Sequence, residues 1–369
     1  MSTNQLISAA ILMTTLATSA AALNSNTLAK LDSLFSEFDQ PDAPGASVML
    51  IHKGKPVFAR GYGLANLETR TPCTTNTNFR LASVTKQFTA MSVLMLAEQK
   101  KLTLDEPLTA FFPEFPAYGK QITVRHLLTH MSGLPDYEDL IPPGTTIPVL
   151  DRDVLRLLAG SAGVMSARNS PAPLFPPGAK YRYSNSGYAL LALIVEARSG
   201  QTFARFLAEN ILEPLKMNNT LAYETGSAVV ANRAFGHGLR TNGWQRTDQS
   251  LTSSVLGDGG VYSSVVDLAR WDAALYGSKL VGANMLKQAF TPATPTDRPG
   301  RSYGFGWYIG EYRGLKQIWH SGESIGFRTR IVRYPERKLT VIILANRSDA
   351  KLEEFPGRIV DLVLFSPQQ

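Results

Sequence analysis

The sequence has one cysteine, a low content of charged residues and, after its first 22 residues, no long apolar run. Because Cys73 is the only cysteine among 369 residues, the chain can form neither an internal disulfide nor a cysteine-rich metal site. Charged residues make up 18% and hydrophobic residues 44%, which indicates a globular protein with a sizeable core. The basic residues are scattered, which argues against nucleic-acid binding, although the net charge of +7 favours encounter with anionic cell-wall or membrane surfaces.

The first 22 residues are typical of a cleavable export signal. They contain no charged side chain, an apolar stretch over residues 11–16, and small residues at Ala20 and Ala22. The apolar stretch is short and interrupted by threonine, so it is a poor candidate for a transmembrane span. We therefore expect residues 1–22 to be a signal peptide, the protein to be periplasmic or secreted, and the mature chain to have no transmembrane span.

Apolar and β-branched residues near both ends of the chain predict strands. Two strands follow Gly45 around a turn at residues 52–55, whose Lys-Gly-Lys tip is typical of a hairpin. Near the C-terminus the pattern predicts three strands at residues 317–319, 328–334 and 339–345, turns at 322–326 and 335–338, and a helix at 352–365. These segments predict an antiparallel sheet of about five strands, which is a common size.

Helical patterns fill most of the chain between the two sheet portions. The predicted helices span residues 84–100, 124–128, 151–159, 187–198, 202–212 and 264–276. We therefore predict an α+β fold, with one domain over residues 23–369. Its α/β part covers about residues 23–90 and 260–369, and its helical part covers about residues 91–259. An active site is expected where the two parts meet.

Ser83 and Lys86 form a Ser-x-x-Lys motif at the start of a helical run that is apolar on nearly all sides. Residues three apart share one face of a helix, so the hydroxyl and the amine lie side by side. A serine hydroxyl needs an adjacent base to become a nucleophile. Burial and the positive end of the helix dipole both lower the pKa of a lysine at this place, and the same helix end supplies N–H groups for an oxyanion.

This motif alone is weak evidence for chemistry. A serine followed three positions later by a lysine arises by chance about once in a chain of this length. The alternative interpretation is a helix-capping serine beside a lysine whose ammonium group reaches solvent.

A second motif places Tyr183 and Asn185 between a Pro-Pro-Gly loop and a predicted helix. A phenol and an amide two residues apart on a loop can both point at one site. The tyrosine can then exchange a proton, and the asparagine can orient a substrate amide or Lys86. The alternative is helix capping by Ser184 or Asn185 together with simple packing of the tyrosine ring.

A third motif, His320, Ser321 and Gly322, ends the first of the predicted C-terminal strands. Glycine at this place lets a substrate backbone approach, while the hydroxyl and the imidazole can hold a carboxylate or a carbonyl. The backbone N–H of Glu323 is a candidate for the second oxyanion donor. The alternative is an ordinary turn between two strands.

Together the three motifs resemble those of the class C β-lactamase-like branch of penicillin-recognising enzymes, which includes DD-peptidases, D-aminopeptidases and serine esterases. The similarity covers most of residues 40–346, in stretches such as FRLASVTKQFTA, FPPGAKYRYSNSGYALLALIVEARSG and WHSGESIGFRTRIVRYP. It implies a β-lactamase/transpeptidase-like catalytic domain that uses no cofactor. It implies that Ser83 is the acylated nucleophile and that Lys86 and Tyr183 share the acid/base steps. It also implies that Asn185 orients the reacting groups, and that His320 and Gly322 line the strand along which substrate lies.

His320 departs from the pattern of the β-lactamases in this branch. They usually carry a lysine at this position, as a permanent cation for the carboxylate of a β-lactam. A histidine is mostly neutral at pH 7, so the sequence favours a peptidase or an esterase over an efficient β-lactamase. Arg328 or Arg330 is a candidate to replace the missing charge, with a solvated strand arginine as the alternative.

Two further patterns are rejected as sites. Residues 322–326 match the Gly-x-Ser-x-Gly elbow around Ser324, but an elbow requires a helix after the serine and a later histidine. No histidine follows His320 in the sequence. His126 and His130 stand four apart but lack the glutamate of a HExxH zinc motif, so we interpret them as structural and predict no metal.

The sequence therefore predicts a serine hydrolase that acts through an acyl-enzyme at Ser83. Its predicted substrates are D-amino-acid peptides, in the manner of a DD-peptidase or a D-aminopeptidase, or carboxylic esters. The alternatives are a weak β-lactamase and a sensor that binds penicillin or cell-wall peptides with little turnover. The expected partner is a small-molecule or peptide substrate such as a cell-wall peptide, and no motif bears on the oligomeric state.

Overall fold

The structure is a computed structural model that describes residues 23–160, 171–224, 226 and 228–366. The predicted signal peptide, residues 1–22, lies outside these residues, so export stays a prediction. Within the described ranges, no helix is both long enough and apolar enough to cross a membrane.

Eight strands from both ends of the chain form the main antiparallel sheet. The described strands are β1 Ala46–His52, β2 Lys55–Tyr62, β3 Leu64–Asn66, β4 Thr71–Pro72, β5 Phe79–Arg80, β6 Leu221–Ala222, β7 His237–Arg240, β8 Gly243–Arg246, β9 Val261–Ser263, β10 Thr294–Pro295, β11 Ser302–Tyr303, β12 Tyr308–Tyr312, β13 Leu315–Ser324, β14 Phe327–Tyr334 and β15 Leu339–Ala345. The main sheet has the order β10-β11-β12-β13-β14-β15-β1-β2, and the other strands form three small sheets, β3-β4, β5-β9-β6 and β7-β8.

The predicted sheet is present, but it is larger than predicted. Its five expected strands are β13, β14, β15, β1 and β2, and three short strands extend it on the β13 side. Strands of two to five residues have too few alternating positions to be recognised by a period of two. The predicted turn at residues 322–326 was wrong over its first half, because β13 continues through Gly322 to Ser324.

Ten α-helices occur in the described part of the chain. They are α1 Ser25–Leu34, α2 Lys86–Glu98, α3 Val124–Leu128, α4 Asp151–Ala159, α5 Asn185–Ser199, α6 Phe203–Leu207, α7 Leu256–Gly259, α8 Val265–Ala274, α9 Ala283–Ala289 and α10 Phe355–Val360. Helices α3 and α4 have the predicted bounds. The helices predicted at 202–212 and 352–365 begin as α6 and α10 and end as π-helical turns, Ala208–Leu212 and Asp361–Phe365.

Two helical layers cover the two faces of the sheet, which explains why all seven residues of β15 are buried. Val341 and Ile343 face the layer that contains α1 and α10. Ile342 and Leu344 face the larger helical region, where α2 lies at the centre of the main hydrophobic core. Side chains alternate between the faces of a strand, so this burial pattern also fixes which residues of β13 and β14 face α2.

Candidate active site

Ser83 lies in a 3-10 turn, Ala82–Thr85, that leads directly into α2. The chain reaches this turn through Ala82, whose φ of 48° is in the left-handed region that residues with a Cβ avoid. The carbonyl of Leu81 is held by the hydroxyl of Thr329 on β14, at 2.7 Å. The predicted helix at 84–100 is therefore this turn followed by α2, and the serine is anchored between helix and sheet.

Lys86 is the first residue of α2 and is fully buried. Its Nζ lies 3.0 Å from Ser83 Oγ, 2.9 Å from Asn185 Oδ1 and 2.9 Å from the backbone oxygen of Asp258. Burial lowers the pKa of Lys86 below its ordinary value of 10.5, although the Asp258 carboxylate opposes this change. Burial favours the uncharged form of an amine because it removes the water that solvates the ammonium ion.

The three contacts of Lys86 fix the direction of its lone pair once the amine is neutral. An amide oxygen and a backbone carbonyl can only accept hydrogen bonds, so Asn185 and Asp258 each take one N–H. The third position of the nitrogen points at Ser83 Oγ. A neutral Lys86 therefore presents its lone pair to the serine hydroxyl, which is the arrangement that a general base requires.

Tyr183 lies beside this pair, and its interaction with the Ser83 hydroxyl opposes the rise in the pKa of its phenol. Burial raises the pKa of Tyr183 above its ordinary value, so the group stays a phenol at neutral pH. Its ring contacts the ring of His130 with centroids 4.3 Å apart, and Lys86 Nζ lies 4.9 Å from the tyrosine ring centre. A phenol in this place can donate a proton more readily than it can remove one.

Asn185 is the first residue of α5, and Asp136 fixes its position. The backbone N–H of Asn185 donates to Asp136 Oδ2 at 2.9 Å. A carboxylate is favourable at the N-terminus of a helix, where backbone N–H groups lack partners. Because Asn185 Oδ1 accepts from Lys86, its Nδ2 is left to donate to a substrate carbonyl.

Gly322 brings β13 into contact with the nucleophile. A Cβ at this position would lie 2.1 Å from the oxygen of Leu81, 2.4 Å from Thr329 Oγ1 and 3.1 Å from the nitrogen of Ser83. No side chain fits these distances, so glycine is needed for the strand to approach Ser83. The backbone nitrogen of Ser83 and that of Glu323, the residue after Gly322, thus lie on adjoining segments. Their paired role as oxyanion donors stays a prediction.

Residues 320–324 of β13 present a free backbone edge beside this contact. β12 pairs with β13 only from Leu315 to Trp319, while β14 pairs with it from Ile318 to Ser324. Among the described strands, none covers the remaining edge. An extended peptide can add to such an edge as a further strand.

His320 is buried, with only 1% of its surface exposed, and it does not reach the open part of the site. Its Nδ1 lies 2.7 Å from the oxygen of Ser321, so this nitrogen carries the proton, and Nε2 accepts from the Tyr303 hydroxyl at 3.0 Å. Burial, with the charge of Lys86, lowers the pKa of His320 to about 3. This histidine is therefore neutral and cannot bind a carboxylate by its charge. The sequence alone had allowed the imidazole to hold either a carboxylate or a carbonyl.

Ser321 and Glu323 point to the opposite face of the sheet from Gly322, because side chains alternate along a strand. Both contribute to a cleft of about 1140 Å³ that also contains Tyr183 and Arg330. Arg330 lies opposite Ser321 in the register of β13 and β14, is half-buried, and its Nε has no hydrogen-bond partner in the described part of the chain.

Arg328 and Arg330, the two candidates for the missing cation, have different surroundings. Arg328 donates to the backbone oxygens of Ser324 and Phe327 at 2.8 and 2.9 Å and lies 3.8 Å from Glu323. It is therefore occupied, whereas Arg330 forms no ion pair with any described residue. Of the two, Arg330 fits the predicted replacement.

Two groups at the site were not singled out from the sequence. Asp258 on α7 supplies the backbone oxygen for Lys86, and its carboxylate accepts from the hydroxyl of Tyr137 at 3.0 Å. Burial raises the pKa of Asp258 to about 7, against the opposing charge of Lys86 and this hydrogen bond. Neither residue carries a motif of its own, because their roles depend on the fold bringing three distant segments together.

The two rejected patterns have other roles in the structure. Ser324 is followed by strand β14, where an elbow would need a helix. His126 Nδ1 accepts from Thr123 N at 3.2 Å in the cap of α3, and His130 Nδ1 accepts from the backbone of Ser184 at 3.1 Å. The described residues contain no group of three or more His, Cys, Asp or Glu side chains that could hold a metal ion.

The fold and this constellation define a class of enzyme, the serine hydrolases of the β-lactamase type. A family model described as Beta-lactamase matches residues 31–364, and the chain belongs to this family. Both the family and the β-lactamase/transpeptidase-like fold predicted from the sequence are thereby confirmed.

Particular relatives show how broad this family is. Penicillin-binding protein 4* of Bacillus subtilis (strain 168) is 29% identical over 352 residues, which are 91% of this chain and 75% of that protein. A D-aminopeptidase of Brucella anthropi is 28% identical over 315 residues, 82% of this chain but only 56% of its own length. The solved octameric penicillin-binding protein homologue from Pyrococcus abyssi superposes with a TM-score of 0.79 and 29% identity, over 91% of this chain and 77% of that chain.

Proposed function

We propose that the protein hydrolyses D-amino-acid peptides or carboxylic esters through an acyl-enzyme at Ser83. The observation that carries this proposal is the geometry of Lys86, whose Nζ has two acceptor-only partners and faces Ser83 Oγ at 3.0 Å. A buried amine in this position is a base for the serine hydroxyl. Asn185 and Asp258 already hold the amine in place, so its contact with the serine is not needed to anchor it.

The pKa shifts divide the proton transfers between two groups. Ser83 Oγ attacks the substrate carbonyl as its proton passes to the neutral Lys86 amine, whose pKa is lowered. The tetrahedral oxyanion is held by the N–H groups of Ser83 and Glu323 and collapses as the bond to the leaving group breaks. Tyr183, whose raised pKa keeps it protonated, donates a proton to the leaving group. Lys86 then passes the proton that it took from Ser83 to Tyr183. Water then attacks the carbonyl of the acyl-enzyme. One of its protons returns to Ser83 Oγ, and its hydroxyl group becomes part of the carboxylic acid that is released.

The two cavities at the site suggest how a substrate is divided. Ser83 lines a smaller cavity of about 270 Å³, while Tyr183, the proposed acid, lines the large cleft. We therefore place the acyl group in the smaller cavity and the leaving group in the cleft, where the free edge of β13 and Arg330 lie. This arrangement supports peptides with a C-terminal carboxylate, and the neutral His320 supports the inference that β-lactams are poor substrates.

A parallel substrate panel on the wild type and Ser83→Ala tests this function. The panel contains a D-Ala-D-Ala peptide, a D-amino-acid amide, short-chain p-nitrophenyl esters and nitrocefin, compared by kcat/KM. We expect Ser83→Ala to lose at least about 10³-fold on every substrate that the wild type turns over. Full activity of Ser83→Ala on p-nitrophenyl acetate would contradict the proposal.

A second outcome of the same panel would identify a sensor instead of an enzyme. A sensor would be acylated by a labelled penicillin in a stable one-to-one adduct and would turn over no ester or peptide. Export to the periplasm, proposed from residues 1–22, is tested by fractionating cells that express the chain with and without that segment.

A further inference from the structure

The cavity beside Ser83 contains a buried arginine, two of whose nitrogens have no hydrogen-bond partner among the described residues. Arg80, at the end of β5, has 3% of its surface exposed and lines the same cavity of about 270 Å³ as Ser83. Its Nε and Nη1 are buried without a hydrogen-bond partner, and it forms no ion pair with any residue of the described ranges. A guanidinium taken out of water without an anion or acceptors is unfavourable, so this group needs an explanation.

Two other arginines of low exposure, one buried and one half-buried, are paired with carboxylates. Arg333 is 1% exposed and its Nε lies 2.6 Å from Asp272 Oδ1. Arg233, which is half-buried, lies 2.5 Å from Asp248 Oδ2 in the same manner. Against these two, Arg80 is a cation that no carboxylate of the described residues approaches to ion-pair distance.

The remaining polar groups of the cavity also include an unused donor. Ser324 Oγ, at the end of β13, is buried and has no hydrogen-bond partner among the residues that the structure describes. The cavity is further lined by hydroxyl groups from one loop, those of Ser250, Thr252 and Ser253. A guanidinium together with hydroxyl groups is chemistry that suits a carboxylate, because all of them donate hydrogen bonds.

Three acidic residues also face the cavity, and none of them forms an ion pair with Arg80 in the described part of the chain. Glu138 and Glu323 are exposed at its rim, and Glu323 lies near Arg328. Asp258 is buried but holds the hydroxyl of Tyr137, and burial raises its pKa to about 7, although the charges of Lys86 and Arg80 oppose this rise. Asp258 therefore carries only part of a charge at neutral pH.

Arg80 lies close to the nucleophile segment. A Cβ added to Gly259 would lie 3.8 Å from Arg80 Nη2 and 3.7 Å from the backbone of Ala82, the residue before Ser83. The guanidinium and the Ser83 segment therefore border the same small space. An acyl chain attached to Ser83 would have to enter this cavity if, as proposed above, the leaving group occupies the cleft.

We propose that Arg80, assisted by the hydroxyl of Ser324, binds a carboxylate on the acyl portion of the substrate. The substrate class is then acyl donors with an acidic chain, such as acidic D-amino-acid residues or the half-esters of dicarboxylic acids. This inference rests on the proposed acyl-enzyme function and adds a selectivity on the acyl side that none of the three motifs implies.

The test compares two esters that share one leaving group and differ in a single charge. These are the mono-p-nitrophenyl ester of adipic acid and the same compound with its distal carboxyl methylated. We expect the wild type to prefer the charged ester by about tenfold or more in kcat/KM, since a hydrogen bond to a charged group contributes that much. Arg80→Gln should abolish the preference, Arg80→Lys should keep part of it, and Ser324→Ala should reduce it about threefold.

Controls separate this inference from the general function and from misfolding. Arg298→Gln removes the same charge from the exposed rim of the cleft and should leave the preference unchanged. Absence of preference in the wild type overturns the inference even if Arg80→Gln does not fold. Failure of Ser83 to react with a fluorophosphonate, together with no turnover of either ester, overturns the acyl-enzyme function instead.

Discussion

Lys86 carries the chemical argument at the scale of single residues, because its position on α2 gives it both burial and three hydrogen-bond partners. Lys86→Met removes the base while keeping an unbranched side chain of similar length. We expect kcat/KM on p-nitrophenyl acetate to fall by about 10³-fold, the usual value of a positioned general base. Rates within tenfold of the wild type would show that another group removes the serine proton.

The pH dependence of the reaction follows from the same residues. Activity requires the neutral form of Lys86, so kcat/KM should rise with pH and level off below pH 10.5, because burial lowers the pKa of Lys86. The falling limb from Tyr183 should lie above pH 10, because burial raises its pKa. With a pKa of about 3, His320 should contribute no step between pH 5 and 9, so His320→Gln should shift no limb of the profile.

Gly322 makes a steric prediction that is independent of charge. Gly322→Ala places a Cβ 2.1 Å from the Leu81 oxygen and 3.1 Å from the Ser83 nitrogen, so β13 or the Ser83 turn has to move. We expect a loss of about 10²-fold or more in kcat/KM, since a displacement of about 1 Å at a catalytic centre has this effect. The control is Gly277→Ala, where the nearest atom to the new Cβ lies 3.9 Å away, and its activity should be normal.

At the scale of elements, sequence patterns predict segments whose bounds are set by local signals better than segments whose bounds depend on distant contacts. Helices α3 and α4 were predicted with the bounds they have, because each combines a regular apolar period with a recognisable start. β13 was cut short because Gly322 suggested a turn. Gly322 is instead required because the strand passes close to Leu81, which lies over 200 positions away in the chain. No local sequence pattern contains that contact.

Asp151 connects two elements and makes their stability depend on pH. Its carboxylate, at the start of α4, accepts from the backbone N–H groups of Leu256 and Gly257 on α7, at 2.7 and 3.0 Å. Burial nevertheless raises the pKa of Asp151 to about 8. A carboxyl with a raised pKa stabilises the fold below its unfolded value near 4, and this stabilisation is lost as the pH rises to 8.

Asp151→Asn tests this linkage by urea unfolding at a series of pH values. The amide loses about one hydrogen bond, so at pH 5 the variant should be less stable than the wild type by about 1 kcal/mol. Only the wild type then loses stability from this site as the pH rises, so the gap should narrow or reverse by pH 8. A gap that is constant across this range would contradict the shifted pKa.

At the scale of the whole molecule, the site exists only where distant segments meet. Ser83 and Lys86 come from the start of α2, Asn185 from α5, Asp258 from α7 and Gly322 from the far end of the sheet. The sequence indicated the first three and Gly322, since each belongs to a motif with recognisable chemistry. Asp258 was missed because its contribution to Lys86 is a backbone oxygen, and any residue type could supply one.

The division of the substrate between two cavities gives the last prediction. Arg330 lies on the face of the sheet opposite to α2, beside Ser321 in the large cleft, and its Nε has no hydrogen-bond partner among the described residues. If the leaving group occupies this cleft, Arg330→Gln should lower kcat/KM about tenfold for a peptide that ends in a D-Ala carboxylate. For the same peptide with a C-terminal amide the variant and the wild type should be equal. Arg328→Gln is the matched control, because that arginine already donates to two backbone oxygens and should not alter the ratio. An equal loss on acid and amide would mean that Arg330 supports the strand and binds no carboxylate, and the leaving group would then have to lie elsewhere.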